Sequence, residues 1–181
     1  MENKSESNVL VYIDDNGVCK IRLVGQIKYG SNAKGLSEFV NTKVAEESVK
    51  DVIVDLRECD FIDSTNIGNL GKIAKLQQEK GAKKPTLVYS EDSKVISAIE
   101  DVNMDVLFEV CVDKEMGDND YEDVGGVDTN KNELAKIMLD SHKFLSDFND
   151  SNKKKFESVV KYLSGEVSAN ERKTTSISRT N

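Results

Sequence analysis

The chain has little of what most catalytic and metal sites are built from. Histidine occurs once in 181 residues, at His142. It stands in a C-terminal helical pattern, far in sequence from any candidate nucleophile, and reads as a surface helix residue. One histidine without a visible partner supports neither a nucleophile–base pair nor imidazole ligation, so hydrolytic catalysis is not expected. Cysteine is scarce as well: Cys19, Cys59 and Cys111 are odd in number and widely spaced. No pair has zinc-site spacing. Each lies in or just after an apolar run, as buried reduced thiols do. Positive charge gathers into no face. The longest basic run, Lys153-Lys154-Lys155, falls within a helical pattern, and the net charge is -8 with a pI near 4.8. Nucleic acid, which demands clustered cations, is therefore not an expected partner. No stretch nears the ~20 apolar residues that cross a bilayer, so direct membrane insertion is not expected either. The polar opening, residues 1–7, lacks the apolar core of a secretory signal. A reducing, cytoplasmic setting is the expectation.

Two near-motifs fail on their spacing. Asp118, Asp120 and Glu122 alternate as calcium ligands do. Asp123, however, stands where an EF-hand loop needs glycine, and Thr129 where it needs a bidentate acid. Gly71-Lys72 looks like the end of a phosphate-binding loop, but Asn66 replaces its first glycine and Ile73 its hydroxyl. No cofactor is expected.

What is present is a regular succession of elements. Residues 9–13 and 18–24 are strand-like, and Asp14-Asp15-Asn16-Gly17 between them is a hairpin signal, because Asn-Gly accepts positive φ. Gly25 ends the second strand. Leu36, Phe39, Val40 and Val44 predict a helix over 34–48. A strand over 51–56 follows, then a loop over 57–62 and a helix over 66–80 that Gly81 stops. Pro85 precedes a strand over 86–89. Ser93 is placed to cap a helix over 94–101, and 107–112 reads as the last strand. An opening hairpin followed by alternating helices and strands predicts an α/β domain with a mixed sheet.

Beyond it the composition shifts. Seven acids share residues 113–129 with Gly117, Gly125 and Gly126, which predicts a solvated acidic linker. Two helices interrupted at Asn149-Asp150-Ser151-Asn152 are expected over 130–164, and a disordered Ser/Thr-rich tail over 165–181. The extension has three uses open to it: covering apolar surface of the domain, pairing two copies, or binding another protein. Packing is the expectation, since amphipathic stripes mostly serve burial.

Residues Asp63-Ser64-Thr65-Asn66-Ile67-Gly68 sit at a strand-to-helix junction. Hydroxyl and acid side chains there accept hydrogen bonds from the first free helix N–H groups. Ser64 therefore reads as a helix cap, or as a regulated serine whose phosphate would meet the positive end of the helix dipole.

The block from Val9 to Val112 resembles a STAS domain, the fold of bacterial anti-sigma factor antagonists. Leu23-Val24-Gly25-Gln26-Ile27 is similar to the family's early L-x-G-x-[IL] turn. Phe61-Ile62-Asp63-Ser64-Thr65-Asn66-Ile67-Gly68 is similar to its D-S-[ST]-G-[LI]-G signature, and Val106-Leu107-Phe108 to its L-F pair. The resemblance implies a STAS-like mixed β-sheet packed with helices over residues 1–112, with a C-terminal α-helical extension outside it. It implies no enzyme, but an antagonist that binds a serine kinase/anti-sigma factor and is released when Ser64 is phosphorylated. Thr65 matches a second hydroxyl that some members also use. Partner binding would fall on Asp63, Ser64, Thr65, Asn66, Gly25 and Lys28. Two positions depart from the pattern: Asn66 replaces a glycine, and Lys28 stands where an acid is common. The other role the family fills is a constitutive scaffold subunit of a transporter or signalling complex, with Ser64 only a cap.

Overall fold

A computed structural model describes residues 7–117 and 119–177. It opens with the expected hairpin, β1 (Asn8–Ile13) and β2 (Val18–Ile27). One Asp14 carboxylate oxygen accepts from the backbone N–H of both Asn16 and Val18, each at 2.9 Å, which fixes the turn. Gly17 completes it at φ +81, a left-handed conformation that glycine adopts without a Cβ penalty. Along β2 the alternate residues Cys19, Ile21 and Leu23 are wholly buried, the period-two pattern of a strand with one face on a core.

Strands β3 (Asp51–Asp55), β5 (Thr86–Tyr89) and β6 (Glu109–Val112) add to β2 in parallel, and with β7 (Glu122–Asp123) the sheet runs β6-β5-β3-β2-β1-β7. Residues 57–62 are not all loop as expected: Cys59–Ile62 form a strand, β4. It is too short to show a period, and Asp60 masks it. The far end of β2 leaves β3 and pairs with β4 through a register shift at Gly25/Gln26. Gly25, at φ +71, makes the bulge possible and donates its N–H to the Glu58 carbonyl at 2.8 Å.

The helices differ from expectation mainly at their ends. The first, α1 (Ser31–Phe39), begins earlier than predicted and continues as a wider π turn over Val40–Val44. The second, α2 (Ser64–Glu79), starts two residues before position 66. Ser93 does not cap α3 (Val95–Glu100); Lys94 takes that place, and the buried Ser93 hydroxyl finds no protein partner. The strand expected from 107 starts at Glu109, because Asp105–Leu107 coil into a 3-10 turn.

The acid-rich stretch after β6 lies along the sheet. Lys20 Nζ donates to the Met116 carbonyl at 3.0 Å and to Asn119 Oδ1 at 2.8 Å. Tyr121 packs near Tyr12 and under the Arg22 guanidinium, 4.6 Å from its ring centroid. Glu122–Asp123 then pair with β1 as β7. The apolar and aromatic residues Met116, Tyr121 and Val124, set among the acids, give this stretch something to bury. Asn130 and Glu133 form a reciprocal capping box that starts α4 (Lys131–Phe148). The interruption falls where expected: Asn149 Oδ1 accepts from the Asn152 N–H at 2.9 Å and starts α5 (Asp150–Ile177). Residues 165–177, expected to be disordered, therefore continue the helix. Glu166, Ala169, Glu171 and Arg172 are good helix formers, which outweighs the nearby Ser and Thr. The rest of that expected tail, 178–181, lies outside the described residues. Leu145 of α4 is fully buried in the same core as Ile21, Leu23, Leu70 and Ile73.

Candidate functional site

The closing residue of β4 sets the site. Ile62 pairs with Ile27, and the next N–H, from Asp63, donates to the Ile27 carbonyl at 3.2 Å. Asp63 thus leaves the sheet in an extended conformation and caps α2. Its Oδ1 accepts from the Asn66 backbone N–H and from Asn66 Nδ2, each at 3.0 Å. Its Oδ2 accepts from the Tyr29 N–H in the β2–α1 connection. The cap is therefore Asp63, not Ser64. Both residue types are eligible, but only the residue one place before the helix reaches the third free N–H.

Ser64 is the first residue of α2, half-buried, with its hydroxyl free of capping duty. Its Oγ lies 2.9 Å from His142 Nε2 on α4. His142 Nδ1 lies 2.7 Å from the Met138 carbonyl. A carbonyl oxygen only accepts, so Nδ1 carries the ring proton of the neutral imidazole and Nε2 is left as the acceptor for Ser64. The expectation of a surface histidine is corrected: His142 is 5% exposed and packs edge-on against Phe156 of α5, centroids 5.6 Å apart. Helix-on-helix docking across 78 residues brought it there. Its alignment with Met138 and Leu145 on one helical face was the available clue.

The other predicted site residues divide. Lys28 is exposed, its Nζ 5.7 Å from the Phe61 ring centroid, and Tyr29 and Phe61 beside it are exposed too. Thr65 is 2% exposed and Asn66 fully buried, while Gly25 is enclosed in its bulge. The structure thus brings Asp63, Ser64, Thr65 and Asn66 together at one helix start. Only Asp63 and Ser64 of these four, with Lys28, have surface to offer.

Sequence reasoning missed that α4 lies across this half of α2. A Cβ on Gly68 would meet the Ser141 Cβ, carbonyl oxygen and Cα at 2.7–2.9 Å, and one on Gly71 the Phe144 ring at 2.2 Å. Two glycines inside a helix each cost about 0.8–1.0 kcal/mol relative to alanine. Here they admit the neighbouring helix. Ser141 Oγ donates to Asn69 Oδ1 at 3.2 Å, Asn69 Nδ2 donates onward to the Ala33 carbonyl, and Lys72 pairs with Asp140.

A separate polar cluster holds the sheet. The Asp55 side chain, 1% exposed, bonds Arg22 Nε at 3.2 Å and Arg57 Nε at 2.9 Å. Burial pulls its carboxyl upward, but the Arg57 side-chain and backbone bonds and the Arg57 and Arg22 charges outweigh burial and hold it below its ordinary value. Burial also pushes the Cys19 and Cys59 thiols up to about 12. Among the described residues no group of three His, Cys, Asp or Glu side chains is arranged to hold a metal ion. No described helix is long and apolar enough to cross a membrane.

The STAS-domain family model matches residues 10–89, from β1 through the start of α2 to the end of β5. The chain carries a STAS domain, and α4 and α5 lie outside the matched segment. Among curated proteins, none matches the chain.

Proposed function

We propose that the chain is a non-enzymatic anti-sigma factor antagonist of the cytoplasm. Its partner is a serine kinase that doubles as an anti-sigma factor and brings its own ATP and magnesium. The unmodified chain holds that partner and frees the sigma factor; phosphorylation of Ser64 releases it. One observation carries the reading. Asp63 takes over the capping bond, leaving the Ser64 hydroxyl at the first position of α2 for other chemistry. Thr65, enclosed by its neighbours, is the poorer acceptor.

A phosphoserine adds about 1.5–2 negative charges at neutral pH. The helix dipole offsets about 0.3–1 kcal/mol of this when exposed, and Asp63 acts the other way. The domain then changes little, and the effect falls on whatever is docked at Lys28, Tyr29, Phe61 and Ser64. An unpaired dianion at a desolvated contact costs several kcal/mol, and about 1.4 kcal/mol is already tenfold in affinity.

The test uses the cognate kinase, ATP and magnesium with a phosphate-sensitive gel. One shifted band is expected, lost in Ser64→Ala and kept in Thr65→Val, and the phosphoprotein should bind the kinase at least tenfold more weakly. A shift that survives Ser64→Ala, or equal affinity of both forms, would overturn the proposal. A second reading, a constitutive STAS scaffold, is favoured by the hydrogen bond that already occupies the Ser64 hydroxyl. It predicts no shifted band at all.

A further inference from the structure

Two thirds of the way along the chain, α4 returns to cover the very helix that starts at Ser64. Toward Ser64 it makes three polar contacts: His142 with Ser64, Ser141 with Asn69, Asp140 with Lys72. Each of these groups can be satisfied by water when the helices part, so separation leaves no charge stranded. The apolar anchors, Leu145 and Phe144, lie further along α4. The polar end of this interface resembles transient protein–protein contacts. Gly68 and Gly71 show that the seat is shaped for this one occupant. They weaken α2, and the space a side chain would fill is taken by Ser141 and Phe144.

We propose that α4, backed by α5, is a lid that holds the Ser64 hydroxyl and must lift from α2 before another protein can engage that surface. His142 is its latch. That the covered surface is a partner site rests on the function proposed above; the lid itself does not. The O–H that Ser64 donates to His142 is the bond a kinase breaks: Oγ bonds the γ-phosphorus of ATP, the bond from that phosphorus to the β-phosphate oxygen breaks, ADP leaves and the proton is released to solvent. A closed latch and a modified serine therefore exclude each other, and lid opening sets the rate at which the switch can be thrown. Opening is local: the Ser64 end of α4 parts from α2 while Leu145 keeps its place in the core and the sheet stays folded.

The full-length Ser64→Cys chain tests this without any kinase. Its thiol is reacted with N-ethylmaleimide and followed by peptide mass spectrometry, with half-buried Cys111 as internal reference; Cys19 and Cys59 are buried. The new thiol should react at least tenfold more slowly than in the urea-unfolded chain. Adding Gly68→Ala and Gly71→Ala should raise its rate at least tenfold, with faster hydrogen exchange in α4 and unchanged exchange in β2 and β3. Should the glycine changes unfold the sheet, His142→Ala and Asp140→Arg, both on α4, take their place with the same expectation. A thiol that reacts at the unfolded rate in the starting chain overturns the lid. So does one whose rate moves less than twofold in the variants. Either result leaves the phosphoswitch standing. A protected and releasable thiol in a chain whose Ser64 never gains phosphate leaves the lid standing and removes the phosphoswitch.

Discussion

Gly68→Ala separates helix propensity from packing, because the two act in opposite directions at this position. In the interior of an isolated α2 the added methyl would stabilise by about 0.8–1.0 kcal/mol. In the folded chain it meets the Cα, Cβ and carbonyl oxygen of Ser141 at 2.7–2.9 Å. Two of those three atoms are backbone of α4 and cannot turn aside, so relief comes only from moving the helix. Overpacking of this kind costs typically about 1–3 kcal/mol, and a backbone obstacle belongs in the upper part of that range. The net expectation is a loss of about 1–2 kcal/mol, or roughly 2–8 °C in Tm for a chain of this size. Gly71→Ala is the internal control. Its obstacle is the end of the half-buried Phe144 ring, which can rotate, so its net effect should lie near zero. Urea unfolding followed by far-UV circular dichroism measures both, since the chain has no tryptophan to report by fluorescence. A Gly68→Ala chain as stable as the parent, or more stable, would mean that α4 does not press on α2 and would refute the packing described here.

Three further outcomes follow from the geometry. Asp63→Ala removes the α2 cap and the tie to Tyr29 and should cost about 1–3 kcal/mol in urea unfolding; a loss under 0.5 kcal/mol would deny Asp63 its role. Asp55 titrates below its ordinary value of 3.8 in the folded chain, so the stability it contributes is complete above that value and is lost as pH falls through the depressed one. Asp55→Asn should accordingly be less stable at pH 7 and show a shallower acid loss below pH 4 in a pH series of thermal melts; parallel curves for parent and variant would contradict this. Gln77 is fully buried with neither polar side-chain atom paired to protein. Gln77→Met should therefore raise stability by about 1 kcal/mol, and a drop of that size would point to a bond that Gln77 makes and methionine lacks.

The parts of the fold that sequence reasoning reached are those fixed by neighbours in the chain. The Asp14–Gly17 turn, the run at 51–55 and the strand at 86–89 each carry their own pattern of turn residues or burial. The Asn149 break was legible for the same reason, because a capping side chain acts three residues away. What stayed hidden depends on distant partners. Strand β4 exists only because the bulge at Gly25 frees the end of β2 to receive it. The acid-rich stretch reads as solvated until Lys20 and Tyr12 on the sheet are seen to hold it. At the site, the four-residue cluster was visible in the signature, but its cap was assigned one residue late. His142, the side chain that touches Ser64, shared a helical face with Met138 and Leu145, but nothing nearby in the chain named what that face would meet.

Strand order has a consequence for how this molecule meets others of its kind. One margin of the sheet ends in a two-residue strand with acids in both places, Glu122 and Asp123, which puts like charge in the way of an incoming copy. The opposite margin, β6, has one acid, Glu109, and shows Val110 and Val112 to solvent. A lysine at either valine would guard that margin against pairing with another copy.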